Sequence, residues 1–161
     1  MAKVALVCSA GGHLAEVMSI AWTFPGGRHD FFLCVTNFES VRAIKLDDFP
    51  RIYRTPILLE YRNSFAVALS MVPTFWAFIK IFRKERPDFI ITTGAEIAIP
   101  ALLINKLFFR KPALYVESLA RTEAPSLTGR LCYRLASRIF VQWPAVLKYY
   151  GPKAEYHGRV I

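Results

Sequence analysis

Acid is scarce in this chain. Twelve Asp and Glu stand against 21 Lys and Arg, which leaves a formal net charge of +9 over 161 residues. That balance points to an anionic partner: nucleic acid, an anionic membrane face or a phosphate-rich substrate. Cysteine is also scarce. Cys8, Cys34 and Cys132 are far apart and show no CxxC or Cys/His spacing. A disulfide framework and a zinc site are therefore not expected, and the three thiols read as small buried hydrophobes suited to a reducing compartment. The phosphate-binding fingerprints GxGxxG and GK[ST] are missing, so ordinary dinucleotide and ATP sites lack their signature. No helix-turn-helix or RNP pattern occurs, and the aromatics sit in apolar runs rather than between cations. Nucleic acid is accordingly not expected as a partner. A leader peptide is not expected either, because Met1–Cys8 reads as a short strand.

What is present is apolar. Hydrophobic residues make up 54% of the chain and the mean hydropathy is +0.31. This excludes a disordered or low-complexity protein, and the length fits one domain over 1–161. Val-rich or doubly apolar runs at Lys3–Cys8, Asp30–Thr36, Arg51–Thr55, Asp88–Thr92, Ala113–Val116 and Arg138–Gln142 read as buried strands. Helical spacing appears in Leu14–Trp22, a short helix is expected at Ser40–Leu46, and further helical segments separate most strands. The alternation predicts an α/β fold: a Rossmann-like parallel sheet with helices on both faces.

The segment 63–86 departs from this pattern. Phe65–Ile79 is almost wholly apolar, yet short of the roughly 20 residues that a bilayer span requires. Phe75, Phe78, Ile79 and Phe82 fall on one helical face, with Trp76 beside them, and Lys80, Arg83 and Lys84 fall on another. A helix lying in a membrane interface has this distribution. A sheet-covering helix with a solvated basic edge shares the spacing, and the density of aromatics favours the interface. Ile97–Phe109, ending in Phe108, Phe109, Arg110 and Lys111, repeats the arrangement and fits a buried helix equally well.

Three strand ends carry chemistry. Ser9-Ala10-Gly11-Gly12-His13 follows the first strand and opens a helix, so small residues and helix amides are available to an anion. His13 could accept a proton from an attacking hydroxyl, or merely cap the helix. Thr93, Gly94 and Glu96 follow the strand at 88–92, with Glu96 readable also as a helix-opening acid. Glu117 follows the strand at 113–116, as a sugar-binding carboxylate or base, or as an ion-pair partner for Arg121. Asp47 and Asp48 form no DxD, and no metal site is expected.

The stretches Ser9–Val17 (SAGGHLAEV), Thr92–Ala101 (TTGAEIAIPA), Tyr115–Pro144 and Ala154–Ile161 (AEYHGRVI) resemble the PssD/EpsE-type polysaccharide glycosyltransferase subunits. These in turn are similar to the eukaryotic membrane-anchoring subunit of the transferase that extends dolichyl-diphosphate N-acetylglucosamine. The GGH loop is also similar to that of the MurG-type transferases of the GT-B fold. The resemblance implies the acceptor half of a GT-B enzyme, with a PssE-like partner chain binding the UDP-sugar and no further cofactor. It implies inverting transfer to a polyprenyl-diphosphate-linked sugar, at the cytoplasmic face of a membrane (the inner membrane if bacterial), through peripheral or monotopic attachment. His13 would be the first candidate for general base and Glu117 the second. Ser9, Gly11, Gly12, Glu16, Thr93, Gly94, Glu96 and Arg121 would contact substrate. The tail 154–161 would dock the partner through Tyr156, His157, Gly158, Val160 and Ile161. A non-catalytic membrane anchor that only recruits the partner is the alternative implied.

Overall fold

A computed structural model describes residues 1–24, 29–36, 49–56 and 64–160, with side chains from Met71 onward in the long helix. The expected helix at 40–46, the Asp47–Asp48 pair and Ile161 lie outside the described residues. The elements run β1 (Ala2–Cys8), α1 (Gly12–Thr23), β2 (His29–Thr36), β3 (Ile52–Thr55), α2 (Ser64–Glu85), β4 (Phe89–Thr92) and α3 (Ala98–Ile104). A π-helical turn (Asn105–Phe109) extends α3, and β5 (Ala113–Val116), α4 (Leu127–Cys132), β6 (Arg138–Val141), a 3₁₀ turn (Pro144–Tyr149) and β7 (Ala154–Tyr156) complete the order.

The strands form one parallel sheet in the order β3-β2-β1-β4-β5-β6-β7. This is the Rossmann-like architecture expected from the sequence. Strand side chains alternate between two cores, as the period of two requires. Ala5, Val7, Phe32, Cys34, Ile90, Tyr115 and Ile139 face α2, α3 and α4. Val4, Leu6, Cys8, Leu33, Val35, Ile91 and Val116 face the other way, where Leu14 and Val17 of α1 cover them. Chain order reverses between β1 and β4, so a crevice opens between their carboxyl ends.

The long helix corrects one expectation. Phe78 and Phe82 have no exposed surface. They fill the core beneath the sheet, with their rings 5.4 Å apart, and Phe75 and Ile79 pack half-buried against the same cluster. These four form the inner face of a sheet-covering helix, and the fully buried Phe78 and Phe82 are not available to lipid. The sheet presents an apolar surface that must be covered, and the densest apolar face of α2 covers it. Among the residues α2 leaves outside are Val72, Trp76, Lys80, Arg83 and Lys84. Trp76 is 59% exposed. No described helix is long and apolar enough to cross a membrane.

Ala154–Tyr156, read from the sequence only as part of a tail, is the edge strand β7. It pairs Ala154 with Ile139 and Tyr156 with Val141, which satisfies the outer edge of β6.

Candidate functional site

The loop after β1 turns at Gly11, whose φ of 74° and ψ of −137° are open to glycine and costly for other residues. Gly11 is the N-cap of α1 and offers no side chain to the first-turn amides. Those amides, at Gly12 and His13, have no intrahelical partner by construction, which leaves them to an anion. Thr93, wholly buried after β4, donates its hydroxyl to the carbonyl of His13 at 2.8 Å. The two carboxyl-end loops are thereby fastened together. The amide of Gly94 is taken up by the Thr92 hydroxyl at 3.3 Å. The Thr93 hydroxyl and the Gly94 amide therefore help position the loop.

Above these loops lies a cavity of about 530 Å³, lined by Ser9, His13, Glu96, Tyr115, Ser118, Arg121, Ser126 and Thr128 among others. Four candidates from the sequence meet here: Ser9, His13, Glu96 and Arg121. Glu96 precedes α3 rather than sitting in its first turn, so it faces the cavity rather than serving the helix dipole. Tyr115, Ser126 and Thr128 were not singled out in the sequence. Their signal was positional, because Tyr115 lies on the strand whose carboxyl end borders the same crevice.

His13 is about a quarter exposed. Its Nδ1 is sealed from solvent and lies 3.6 Å from the Glu16 carboxylate, one helical turn on. With Nδ1 turned inward, Nε2 is the ring nitrogen left for the cavity. The neighbouring Glu16 carboxylate raises the His13 pKa above its ordinary value. Burial opposes that rise, while the charges of Glu16 and Glu96 and the Thr93 backbone reinforce it.

Glu16 and Glu117 do not reach the cavity. Glu16 is 3% exposed and lies behind His13, so it is not a substrate contact. Glu117 is 1% exposed and its oxygens are fully engaged. One accepts the Ser118 amide at 3.1 Å and the Ser126 hydroxyl at 2.8 Å. The other accepts the Ser126 amide at 3.1 Å and the Tyr150 hydroxyl at 2.5 Å. A carboxylate saturated by four donors has no lone pair for an incoming hydroxyl. Glu117 is therefore a strut for the 118–126 loop, not a base. The neighbouring phenols respond to it: burial, then Glu117, holds the Tyr115 and Tyr150 hydroxyls protonated well beyond the usual range. Gly129 is required by close approach, since an added methyl would overlap both the Glu117 carboxylate and the Tyr150 hydroxyl.

Among the described residues, no group of three or more His, Cys, Asp or Glu side chains is arranged to hold a metal ion. Burial, with a smaller contribution from Glu117, pushes the Cys132 thiol up to about 12, in keeping with an inert core position.

A family described as "Oligosaccharide biosynthesis protein Alg14 like" matches residues 4–160. This chain belongs to the Alg14-like family. The human UDP-N-acetylglucosamine transferase subunit ALG14 is 24% identical over 99% of this chain and 83% of its own length. The undecaprenol N-acetylglucosamine transferase of Prochlorococcus marinus is 27% identical over 86% of this chain and 38% of its own. In fold, the chain is similar to Acinetobacter baumannii MurG, with a TM-score of 0.80 at 15% identity over 97% of this chain. It spans 45% of that structure. The Alg14-family chain thus corresponds to about half of a two-lobed GT-B molecule, and the expected kinship with glycosyltransferase subunits stands.

Proposed function

We propose that this Alg14-family chain is the acceptor-side, membrane-associated subunit of a two-chain inverting glycosyltransferase. The donor is a UDP-sugar held mainly by a PssE-like partner, and the acceptor is a polyprenyl-diphosphate-linked sugar. One observation carries the reading. A histidine with a raised pKa faces a cavity at the β1/β4 switch point, flanked by an open helix N-terminus and by Arg121.

The acceptor hydroxyl attacks the anomeric carbon of the donor as the bond to UDP breaks. The hydroxyl proton passes to Nε2 of His13, and the leaving diphosphate carries away the bonding electron pair. On this chain, the amides of Gly12 and His13, together with Arg121, suit the acceptor's diphosphate. Ser9 and Glu96 suit its sugar hydroxyls.

Membrane attachment rests on the outer surface of the helical layer. Val72 and Trp76 of α2, Leu107 and Phe108 of the π turn, and Leu127 and Leu131 of α4 are all exposed. α3 packs between α2 and α4, so these residues share one layer. Beside the π turn, Lys106, Arg110, Lys111, Arg134 and Lys153 line a basic cleft of about 520 Å³. Exposed aromatics next to such cations suit a phosphate-bearing lipid surface at the cytoplasmic face of a membrane. Within the proposed partner-docking tail, Tyr156 and His157 stay exposed on β7 and just beyond it.

The test is sugar transfer from a panel of UDP-sugars by the chain co-expressed with a PssE-like partner, on polyprenyl-diphosphate sugar. Transfer that needs both chains and falls about a hundredfold in His13→Ala supports the reading. Transfer that needs both chains but ignores His13 leaves this chain as an anchor and moves the base to the partner.

A further inference from the structure

Glu16 is spent three ways. Its Oε2 is buried, lacks a hydrogen bond at normal distance, and faces the equally sealed Nδ1 of His13 at 3.6 Å. Its Oε1 accepts the Leu119 amide at 2.8 Å and the Gln142 side-chain amide at 3.4 Å. Leu119 belongs to the turn that carries Arg121 to the cavity, and Gln142 directly follows β6. A single buried carboxylate thus holds the start of α1, the turn after β5 and the end of β6.

Gln142 extends the chain of contacts. It is 2% exposed, and its Nε2 also reaches the Glu117 carbonyl at 3.0 Å. Its Oε1 accepts the backbone N–H of Val160 at 3.0 Å. A parallel strap runs alongside. Trp143 donates its indole N–H to the Leu119 carbonyl at 2.7 Å, and the Arg159 guanidinium stacks 3.7 Å above the Trp143 ring. Both tail residues are thereby connected to the turn that borders the site.

We propose that Glu16 is the positioning residue of His13, and that Gln142 ties this pair to the carboxyl-terminal tail through Val160. Glu16 fixes the proton on Nδ1 and leaves Nε2 to accept. The seat of Val160 on Gln142 fixes Glu16 in turn. A partner that grips the neighbouring tail would therefore reach the base through two side chains, Gln142 and Glu16. The part about proton acceptance rests on the reading of His13 as the base; the coupling itself does not.

The groups around the His13 ring are Glu16 on its own helix, Glu96 before α3, the Thr93 backbone, and Tyr115 and Arg121 across the cavity. Burial keeps Cys8, behind Glu16, as a neutral thiol. Only Glu16 and Glu96 supply negative charge, and Glu16 is the larger influence.

The experiment is a ¹⁵N-histidine NMR titration of the full chain, as wild type, Glu16→Gln, Gln142→Leu and Val160→Pro. Val160→Pro deletes the tail N–H and keeps an apolar side chain. The expected result is an Nδ1–H tautomer in the wild type and a lower His13 midpoint in Glu16→Gln. His13 ring signals should also move in Gln142→Leu and Val160→Pro, while those of His29 stay in place. In the transfer assay, Glu16→Gln should shift the acid limb of kcat/KM to lower pH and reduce kcat about tenfold or more. Unchanged His13 midpoints in Glu16→Gln, or Val160→Pro effects confined to the tail, would overturn the proposal. If Glu16→Gln does not fold, the two distal variants test the coupling from the far end. Intact transfer in His13→Ala would overturn the base reading and leave the NMR coupling standing.

Discussion

His13 and Glu117 are both titratable groups at strand ends, and only their surroundings separate them. Glu117 is saturated by four hydrogen-bond donors, whereas His13 keeps one nitrogen toward open space. The roles predict different lesions. Tyr150→Phe removes one of the four donors and should cost about 1–2 kcal/mol in urea unfolding, with transfer lowered less than tenfold. His13→Gln should leave the unfolding midpoint nearly unchanged and abolish most transfer. The sign of the pH effect follows from the raised pKa. The proposed base must be neutral to act, so kcat/KM should rise with pH through a midpoint above 6.5, the ordinary histidine value. A pH profile measured from 5 to 9 checks this.

The second contrast lies within α2. Its spacing presents two faces, and the sequence does not say which is wet. The aromatic face is spent on the sheet, so Phe78→Ala should unfold the chain by about 3–5 kcal/mol, read by thermal or denaturant melts. The residues available to lipid lie elsewhere, at Trp76 and on the π turn. That turn is built by Asn105, a buried amide that pairs with both backbone groups of Lys111 at 2.8 and 3.0 Å. Arg110 closes it in the left-handed region at φ 55°, and Leu107 and Phe108 are left outside, Phe108 at 64% exposure. Trp76→Ser combined with Phe108→Ser should release the chain from anionic liposomes without changing its melting temperature. Flotation equal to wild type would count against the attachment surface.

Across the whole molecule, the carboxyl end of the sheet borders the cavity and the other end carries an ion network. At the amino-terminal edge, Glu85 is nearly buried and receives Lys3 at 3.3 Å, Arg51 at 3.3 Å and the Tyr53 hydroxyl. Burial works against the Glu85 charge, but the hydrogen bonds from Tyr53 and Lys3 and the charge of Arg51 outweigh it, so its pKa is lowered. The folded pKa lies below the unfolded value. Its stabilising contribution is therefore present above about 4.5 and is lost as pH falls through the folded pKa. Glu85→Gln should flatten the acid side of the stability–pH curve and lower stability at neutral pH, as chemical denaturation at several pH values would show. The network, which Asp30 of β2 enters through Arg51, joins β1, β2, β3 and α2 far from the cavity, so transfer per folded molecule should be unchanged.

The order of strands and helices was legible in the sequence because doubly buried parallel strands are short apolar runs, and such runs need no tertiary knowledge to recognise. So was the place of the loop Ser9–His13 between β1 and α1, because paired glycines after an apolar run mark a strand-to-helix turn. The edge strand β7 was not legible, since AEY is too short and too polar to declare itself without β6 beside it. Nor could spacing alone choose between core and membrane for the Phe75–Phe82 face. The sheet decided that, by offering an apolar surface that some helix must cover. The demotion of Glu117 and the pairing of Glu16 with His13 also required the tertiary structure. Glu117 draws Tyr150 from 33 residues away, and Glu16 draws Gln142 from 126 away. Whether a carboxylate is a base or a strut depends on the donors that surround it, and folding brings those donors together from distant parts of the chain.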